Sequence, residues 1–290
     1  MNRLRRTILF MPGNNPNMIQ NAGVLGADSI ILDLEDSVSI EEKDAARDLV
    51  HNALKHVDFY GCEIVVRINS PSSPFGIKDI QVITKAKPDA FMIPMATEED
   101  MEEICKLVGK IERKEGILEN TIKLIPIAET AYSIENIADI ISASNRTIAV
   151  LLGAEDLTAD LEVTRTKEGQ EILYARSRIA HICKTYKIDA IDTPFADVDD
   201  FEGLRKDTIR GKGLGMTGKA AINPRQIEII NQVFTPTIDE IEYAQNVIKA
   251  MEEAKGKGKG VFSYQGKMVD APIIDRAETI LEKAKTAGVI

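Results

Sequence analysis

The feature that most constrains this chain is a rhythm: short apolar, β-branched runs recur along it, separated by longer stretches with apolar residues at three- and four-residue spacing. The runs fall near Thr7 to Phe10, Ser29 to Leu34, Glu63 to Ile68, Ala90 to Ile93, Lys123 to Ile127, Thr147 to Leu152, Asp189 to Ile191 and Gly213 to Met216, eight in all. Several are apolar without a break, as expected of parallel strands covered on both faces. Helical periodicity spans Glu41 to Val57, Thr97 to Glu115, Ser133 to Ala143 and Gly169 to Tyr186. Eight βα units predict an α/β fold, a TIM (β/α)8 barrel, whose core usually takes about 250 residues. Residues 1–235 are assigned to this barrel and 236–290 to extra C-terminal helices. The first of these is predicted from Thr237 to Glu253, opened by a Thr237/Glu240 capping box. The tail from Val261 to Ile290 is too short to bury a core alone, so it must pack on the barrel or on a neighbouring subunit. Between them Lys-Gly-Lys-Gly-Lys-Gly at 255–260 reads as a hinge, with a phosphate-gripping loop as the sharper alternative.

Charge and composition narrow the function classes. A net charge of -10 disfavours a nucleic-acid backbone as partner. No apolar run approaches the roughly 18 residues of a membrane span. The basic start Arg3, Arg5, Arg6 resembles a signal peptide, but Pro12-Gly13-Asn14-Asn15 ends the apolar stretch too soon for export. Cys62, Cys105 and Cys183 are odd in number, far apart and free of CxxC spacing, which argues against disulfides and zinc and for a reducing cytoplasm. His51, His56 and His181 read as surface or packing residues, and no nucleophile elbow accompanies them. Acid–base work therefore falls to carboxylates, lysines or a metal-bound water.

In a TIM barrel the site lies at the C-terminal strand ends. Those ends carry Pro12-Gly13, Asp33-Leu34-Glu35-Asp36, Arg67 with Asn69, Glu129, Glu155-Asp156 and Asp192. Carboxylates crowded at one rim repel each other unless a cation sits among them, and hard oxygen donors suit Mg2+. Glu129 and Asp156, 27 positions apart, stand about one βα repeat from each other and form the candidate metal pair. The alternative for each acid is a helix N-terminal cap. Arg67 is placed to grip a substrate carboxylate, or to pair with Glu35 or Asp36, and both can hold together. Gly213 to Ala220 satisfies GxGxxG but lacks the Rossmann context, and Ala220 stands where a P-loop needs Ser or Thr; a tight loop of the eighth strand is preferred, one that could touch a phosphate as loops 7 and 8 of such barrels often do. No lysine stands near the C-terminal end of an apolar strand, which disfavours a Schiff base.

Arg6 to Gly13, Leu32-Asp33-Leu34-Glu35-Asp36-Ser37-Val38, Arg67-Ile68-Asn69, Gly153-Ala154-Glu155-Asp156-Leu157, Asn223-Pro224-Arg225-Gln226-Ile227 and Gly266 to Pro272 together resemble the family of citrate lyase β subunits and malyl-CoA or citramalyl-CoA lyases. The resemblance implies a Mg2+-dependent carbon–carbon lyase. Glu129 and Asp156 match metal ligands, Arg67 the residue facing the oxo-acid carboxylate, and Glu35 with Asp36 the acidic pair around them; Pro12 and Gly13 complete the substrate-binding set. Asp270 matches an acid that reaches a neighbour's site in relatives, which implies a trimer or larger assembly. Asn223 to Ile227 is closer to the citrate lyase branch, where CoA lyases more often carry His-Pro. The resemblance thus points to (3S)-citryl thioester on an acyl carrier protein, cleaved to oxaloacetate and acetyl thioester beside α and γ (acyl carrier) subunits. Malyl-CoA or citramalyl-CoA lyase, a malate-synthase-like reaction and a decayed scaffold subunit are the alternatives. Many relatives have Pro-Lys after the fourth strand, whereas Met95 follows Pro94 here.

Overall fold

Parallel strands β1 (Thr7–Pro12), β2 (Ser29–Asp33), β3 (Glu63–Arg67), β4 (Ala90–Ile93), β5 (Lys123–Ala128), β6 (Ala149–Leu152), β7 (Asp189–Asp192) and β8 (Gly218–Ala221) pair in chain order and close, β8 against β1, into a TIM barrel. The computed structural model describes residues 3–255, 262–264 and 267–290. Helices α1 (Pro16–Asn21), α2 (Lys43–His56), α3 (Gly76–Ile83), α4 (Glu98–Lys114), α5 (Ala131–Glu135), α6 (Ile137–Ser142), α7 (Ala154–Asp160), α8 (Leu173–Tyr186), α9 (Phe201–Leu214) and α10 (Ile227–Phe234) connect the strands or follow them. The single helix expected over Ser133 to Ala143 is two, meeting at Asn136, whose backbone (φ -99, ψ 15) departs from helical values while its amide still reaches the Tyr132 carbonyl at 2.9 Å.

Strand alternation sorts side chains between the barrel interior and the helix layer. Ile8, Ile31, Val65, Ala90, Met92, Ile125, Ile127, Ala149, Leu151, Ile191 and Ala220 fill the interior. Continuing the same parity toward the C-terminal ends aims Asp33, Arg67, Glu129, Gly153 and Thr193 at the mouth. At the opposite end the interior is closed by Arg5, which pairs with Glu63 at 2.6 Å and Asp189 at 2.7 Å.

The eighth strand is not Gly213 to Met216. Those residues end α9, whose last turn is closed by Gly215 at φ +103, and the strand is the short Gly218–Ala221. Gly218 is required by packing, since a Cβ there would fall 1.8 Å from the Arg5 carbonyl oxygen. The GxGxxG pattern is therefore a helix stop followed by a strand start, at the N-terminal end of β8 and away from the mouth; the expectation of a loop there touching phosphate is corrected. Strand β8 was hidden because alanine and lysine carry weak β propensity.

Two compact units divide the chain: Arg5–Asn231, and Gln232–Ile290 with the short start ahead of Arg5. In the second unit α11 (Ile238–Lys255) packs on α12 (Ala271–Thr286), and β9 (Phe262–Tyr264) pairs antiparallel with β10 (Lys267–Val269). Ala244, Val247, Val269 and Ala277 form its small core. The capping box is present, with the Thr237 amide on Glu240 Oε2 at 2.8 Å and the Glu240 amide on Thr237 Oγ1 at 3.2 Å. Residues 256–260 of the Lys-Gly run lie outside the described residues. Among the described residues no helix is long and apolar enough to cross a membrane, and the three cysteines are free.

Candidate active site

The rim of the barrel holds two polar groups. The first is built on a register pair: β2 and β3 place Asp33 directly beside Arg67. Asp33 takes the guanidinium bidentately, with Nε to Oδ1 and Nη2 to Oδ2 both at 2.7 Å. The expected contacts to Glu35 and Asp36 are also present, from Nη1 at 2.8 and 3.3 Å, and the Phe10 ring lies 5.1 Å from the guanidinium carbon. Burial opposes ionisation of Asp33, yet the Arg67 guanidinium, the Ser37 side chain and the Glu35 amide hold its carboxyl below the usual range. Burial pushes Glu35 the other way, to about 7, against the opposing pull of Arg67 and with the help of Asp36 and Asp33.

This loop is fixed from beneath. Lys43 Nζ donates to the carbonyls of Leu34 at 2.8 Å and Glu35 at 2.6 Å. Asn69 turns away from the mouth to donate to the Leu34 carbonyl at 2.9 Å and to Asp79 at 2.7 Å. Pro12 pairs in register with Asp33, and the Gly13 amide donates to the Asp33 carbonyl at 2.8 Å. A Cβ on Gly13 would fall 2.5 Å from that carbonyl oxygen, so the glycine is required by the close approach of the first loop to the end of β2.

The second group gathers on β5 and β6. Glu129 is 4% exposed, and its Oε1 accepts the Met95 amide at 2.6 Å. Met95 reaches that position with φ +48, a left-handed conformation that costs about 1–3 kcal/mol for a non-glycine residue and tends to occur at functional sites. The contact uses the backbone, so it does not depend on which side chain follows Pro94. Burial raises the Glu129 carboxyl to about 8, helped by the charges of Asp156 and Glu35 and opposed by the Met95 amide and Arg67. Glu129, Asp156, Glu35 and Arg67 therefore lie within electrostatic reach of one another. Asp156 is exposed in the first turn of α7. Glu155, beside it, points to Arg165 at 3.8 Å.

This donor set fits Mg2+. It is made of hard carboxylate oxygens, and one of them belongs to a buried acid whose ionisation is penalised until a cation compensates it. Among the described residues no group of three or more His, Cys, Asp or Glu could hold a metal. Two carboxylates suffice for an ion that takes its other positions from water and substrate.

Asp192 does not belong to the rim, because its parity is that of the helix layer. It pairs with Arg176 at 2.8 Å and Lys219 at 3.0 Å, and both cations also bind Asp207. Lys219 is thus a strand lysine that the sequence reading overlooked, turned outward into a fully buried ionic cluster rather than toward substrate. Also missed were Asp33 as the clamp on Arg67 and the Met95 amide. The register of β2 with β3 carries the first; the second leaves no trace in composition. In the second unit Asp270 occupies the N-cap of α12, where its carbonyl accepts the Ile273 and Ile274 amides at 3.1 and 3.2 Å, while its carboxylate makes no capping bond.

Comparison with known proteins gives the chain's relatives. The chain is 46% identical over 283 residues to the citrate lyase subunit beta of Leuconostoc mesenteroides subsp. cremoris, covering 97% of this chain and 94% of that one. Protein CitE of Mycobacterium tuberculosis, solved with magnesium, acetoacetate and coenzyme A, superposes with a TM-score of 0.81 at 26% identity, covering 98% of this chain and all of that one (100%). A citrate lyase beta subunit from M. tuberculosis complexed with oxaloacetate and magnesium gives 0.68 at 27% identity, over 80% of this chain and 98% of that one. Residues 6–224 match the HpcH/HpaI aldolase/citrate lyase family, and with relatives this similar along nearly their whole length, the chain belongs to that family.

Proposed function

We propose that this chain is a Mg2+-dependent oxo-acid lyase that cleaves citryl thioester to oxaloacetate and an acetyl thioester, with acyl carrier protein as the thioester carrier. One observation carries the reading: a buried Glu129, its carboxyl raised to about 8, lies within electrostatic reach of Asp156 and of an Arg67 that Asp33 clamps, which suits a cation seat near a carboxylate seat on one rim. The ligands of the M. tuberculosis relatives, magnesium with oxaloacetate or acetoacetate, suit those two seats.

Glu129 and Asp156 would hold the ion. Bound there, Mg2+ supplies Lewis acidity toward the hydroxyl and carboxylate oxygens of the oxaloacetate half. Asp33 occupies Nε and Nη2 of Arg67, so the substrate carboxylate is met from the Nη1 side, where Glu35 and Asp36 now sit. Glu35, poised near neutrality, accepts the hydroxyl proton. The bond between the carbinol carbon and the thioester α-carbon then breaks, the carbonyl forms, and the electron pair passes to the thioester enolate. Asp270, whose carboxyl caps nothing on its own helix, protonates that carbon from a neighbouring copy in a trimer or larger assembly. Pro12 and Gly13 shape the floor under the oxo-acid. The complex would include α and γ (acyl carrier) subunits, and the free thiols suit a cytoplasmic setting.

Oxaloacetate release from citryl thioesters, followed through coupled NADH oxidation, tests the reaction. Asp156→Ala is expected to abolish it, and near wild-type turnover would remove Asp156 as a ligand. The coenzyme A bound to CitE favours one second reading, a lyase for CoA thioesters. Faster turnover of malyl-CoA or citramalyl-CoA than of citryl-carrier thioester would establish it instead.

A further inference from the structure

The turn that carries Asp156 begins without a side-chain cap of its own, as do α2, α3, α6 and α8. Thr97 caps α4, Thr130 caps α5 and Asp200 caps α9 with their own side chains, whereas α7 starts after Gly153, which has none to offer. The glycine is imposed by its neighbour. Strands β5 and β6 pair Ala128 with Leu152, so the next residues, Glu129 and Gly153, stand side by side. A Cβ on residue 153 would lie 2.6 Å from both Cβ and Oε2 of Glu129. Serine, threonine, aspartate and asparagine, the residues that normally cap a helix, are all excluded there by the carboxylate itself.

The first amide of the helix is instead held from the other side. Strands β6 and β7 pair Leu151 with Ile191, which sets Thr193 alongside the start of α7. Its hydroxyl accepts the amide of Ala154, the first residue of that helix, at 3.2 Å. Thr193 and Ala154 are each 1% exposed, so water cannot stand in for this bond. Thr193 is itself anchored, its carbonyl accepting Lys219 Nζ at 2.7 Å, which ties it to the buried cluster of Asp192, Asp207 and Arg176.

We propose that Thr193 is a positioning residue for the metal pair: across the strand gap it holds the first amide of α7, at a helix start where Glu129 leaves no room for a capping side chain, and thereby fixes Asp156 relative to Glu129. The inference rests on the reading of Glu129 and Asp156 as magnesium ligands. Without the hydroxyl the Ala154 amide is buried and unsatisfied, and the turn relieves this by shifting, carrying Asp156 with it.

Thr193→Val keeps the shape and removes the acceptor, and Thr193→Ser keeps the acceptor. Calorimetric Mg2+ binding should weaken by on the order of tenfold in the valine variant, the range seen for partners that orient metal ligands, and stay near wild type in the serine variant. Hydrogen exchange of the Ala154 amide should accelerate only in the valine variant. Saturating Mg2+ should restore kcat of the valine variant, which a general loss of structure would not allow. Should valine impair folding, Thr193→Cys, a weaker acceptor, must fall between wild type and loss of binding. Equal Mg2+ affinity in Thr193→Val and wild type, or equal impairment in Thr193→Ser and Thr193→Val, overturns the proposal. If the wild-type protein itself binds no Mg2+, the metal reading falls and the positioning proposal falls with it; Ala154 exchange unchanged in Thr193→Val would show separately that the hydrogen bond itself is absent.

Discussion

Metal binding at Glu129 should be coupled to a proton. Burial raises this carboxyl from 4.5 to about 8, while ligation requires its ionised form. The sign follows directly. Below about pH 8 the protonated form dominates and Mg2+ must displace the proton, so affinity falls about tenfold, or ~1.4 kcal/mol, for each pH unit lost. At about pH 6 binding should be on the order of a hundredfold weaker than on the plateau above about pH 9, with close to one proton released per ion. An ordinary glutamate would show no change over this range, since it is already ionised. Calorimetry in two buffers of different ionisation enthalpy measures both affinity and proton release. Glu35, raised to about 7, adds a second and smaller step, which Glu35→Gln should remove while leaving the Glu129 step in place. A flat affinity between about pH 6 and pH 9, without proton release, would refute the claim that Glu129 is a desolvated ligand.

Three further outcomes follow from the geometry. Lys219→Met leaves Asp192 and Asp207 with Arg176 as their remaining cation in a fully buried cluster, and should cost about 3 kcal/mol in a denaturant melt; a loss below ~1 kcal/mol contradicts the network. Arg67→Lys breaks the bidentate pairing with Asp33 and should destabilise by about 1–3 kcal/mol while lowering kcat/KM for citryl thioester; unchanged kinetics would remove Arg67 from substrate binding. Asp270→Ala removes a carboxylate that caps nothing, so stability should move by less than ~0.5 kcal/mol while turnover is lost; the reverse pattern would make Asp270 a structural cap.

Much of the barrel was legible because its causes are local. Ile30-Ile31-Leu32 and Ala149 to Leu152 read as strands because a doubly covered strand must be apolar on both faces, and the observed β2 and β6 are those runs. Strand β8 was not legible: a Gly-Lys-Ala-Ala segment becomes a strand only because β1 and β7 are there to pair with it, and its lysine survives burial only beside Asp192 and Asp207. Family membership was readable from motifs spread along the chain. The rim acids could be nominated by their place after each apolar run, but that rule could not tell Glu129 from Asp192.

What the chain determines by itself is the alternation of apolar runs and amphipathic stretches, and with it the barrel and the set of polar residues that can reach one end. What only the closed barrel decides is which of those residues meet. Register pairs Asp33 with Arg67, strand parity sends Asp192 outward, and the width of one strand gap presses Glu129 against Gly153 and brings the Thr193 hydroxyl to the first amide of α7. The reason is range: patterning reflects solvent exposure residue by residue, whereas the ionisation of Glu129 depends on burial and on charges contributed by segments far apart in sequence.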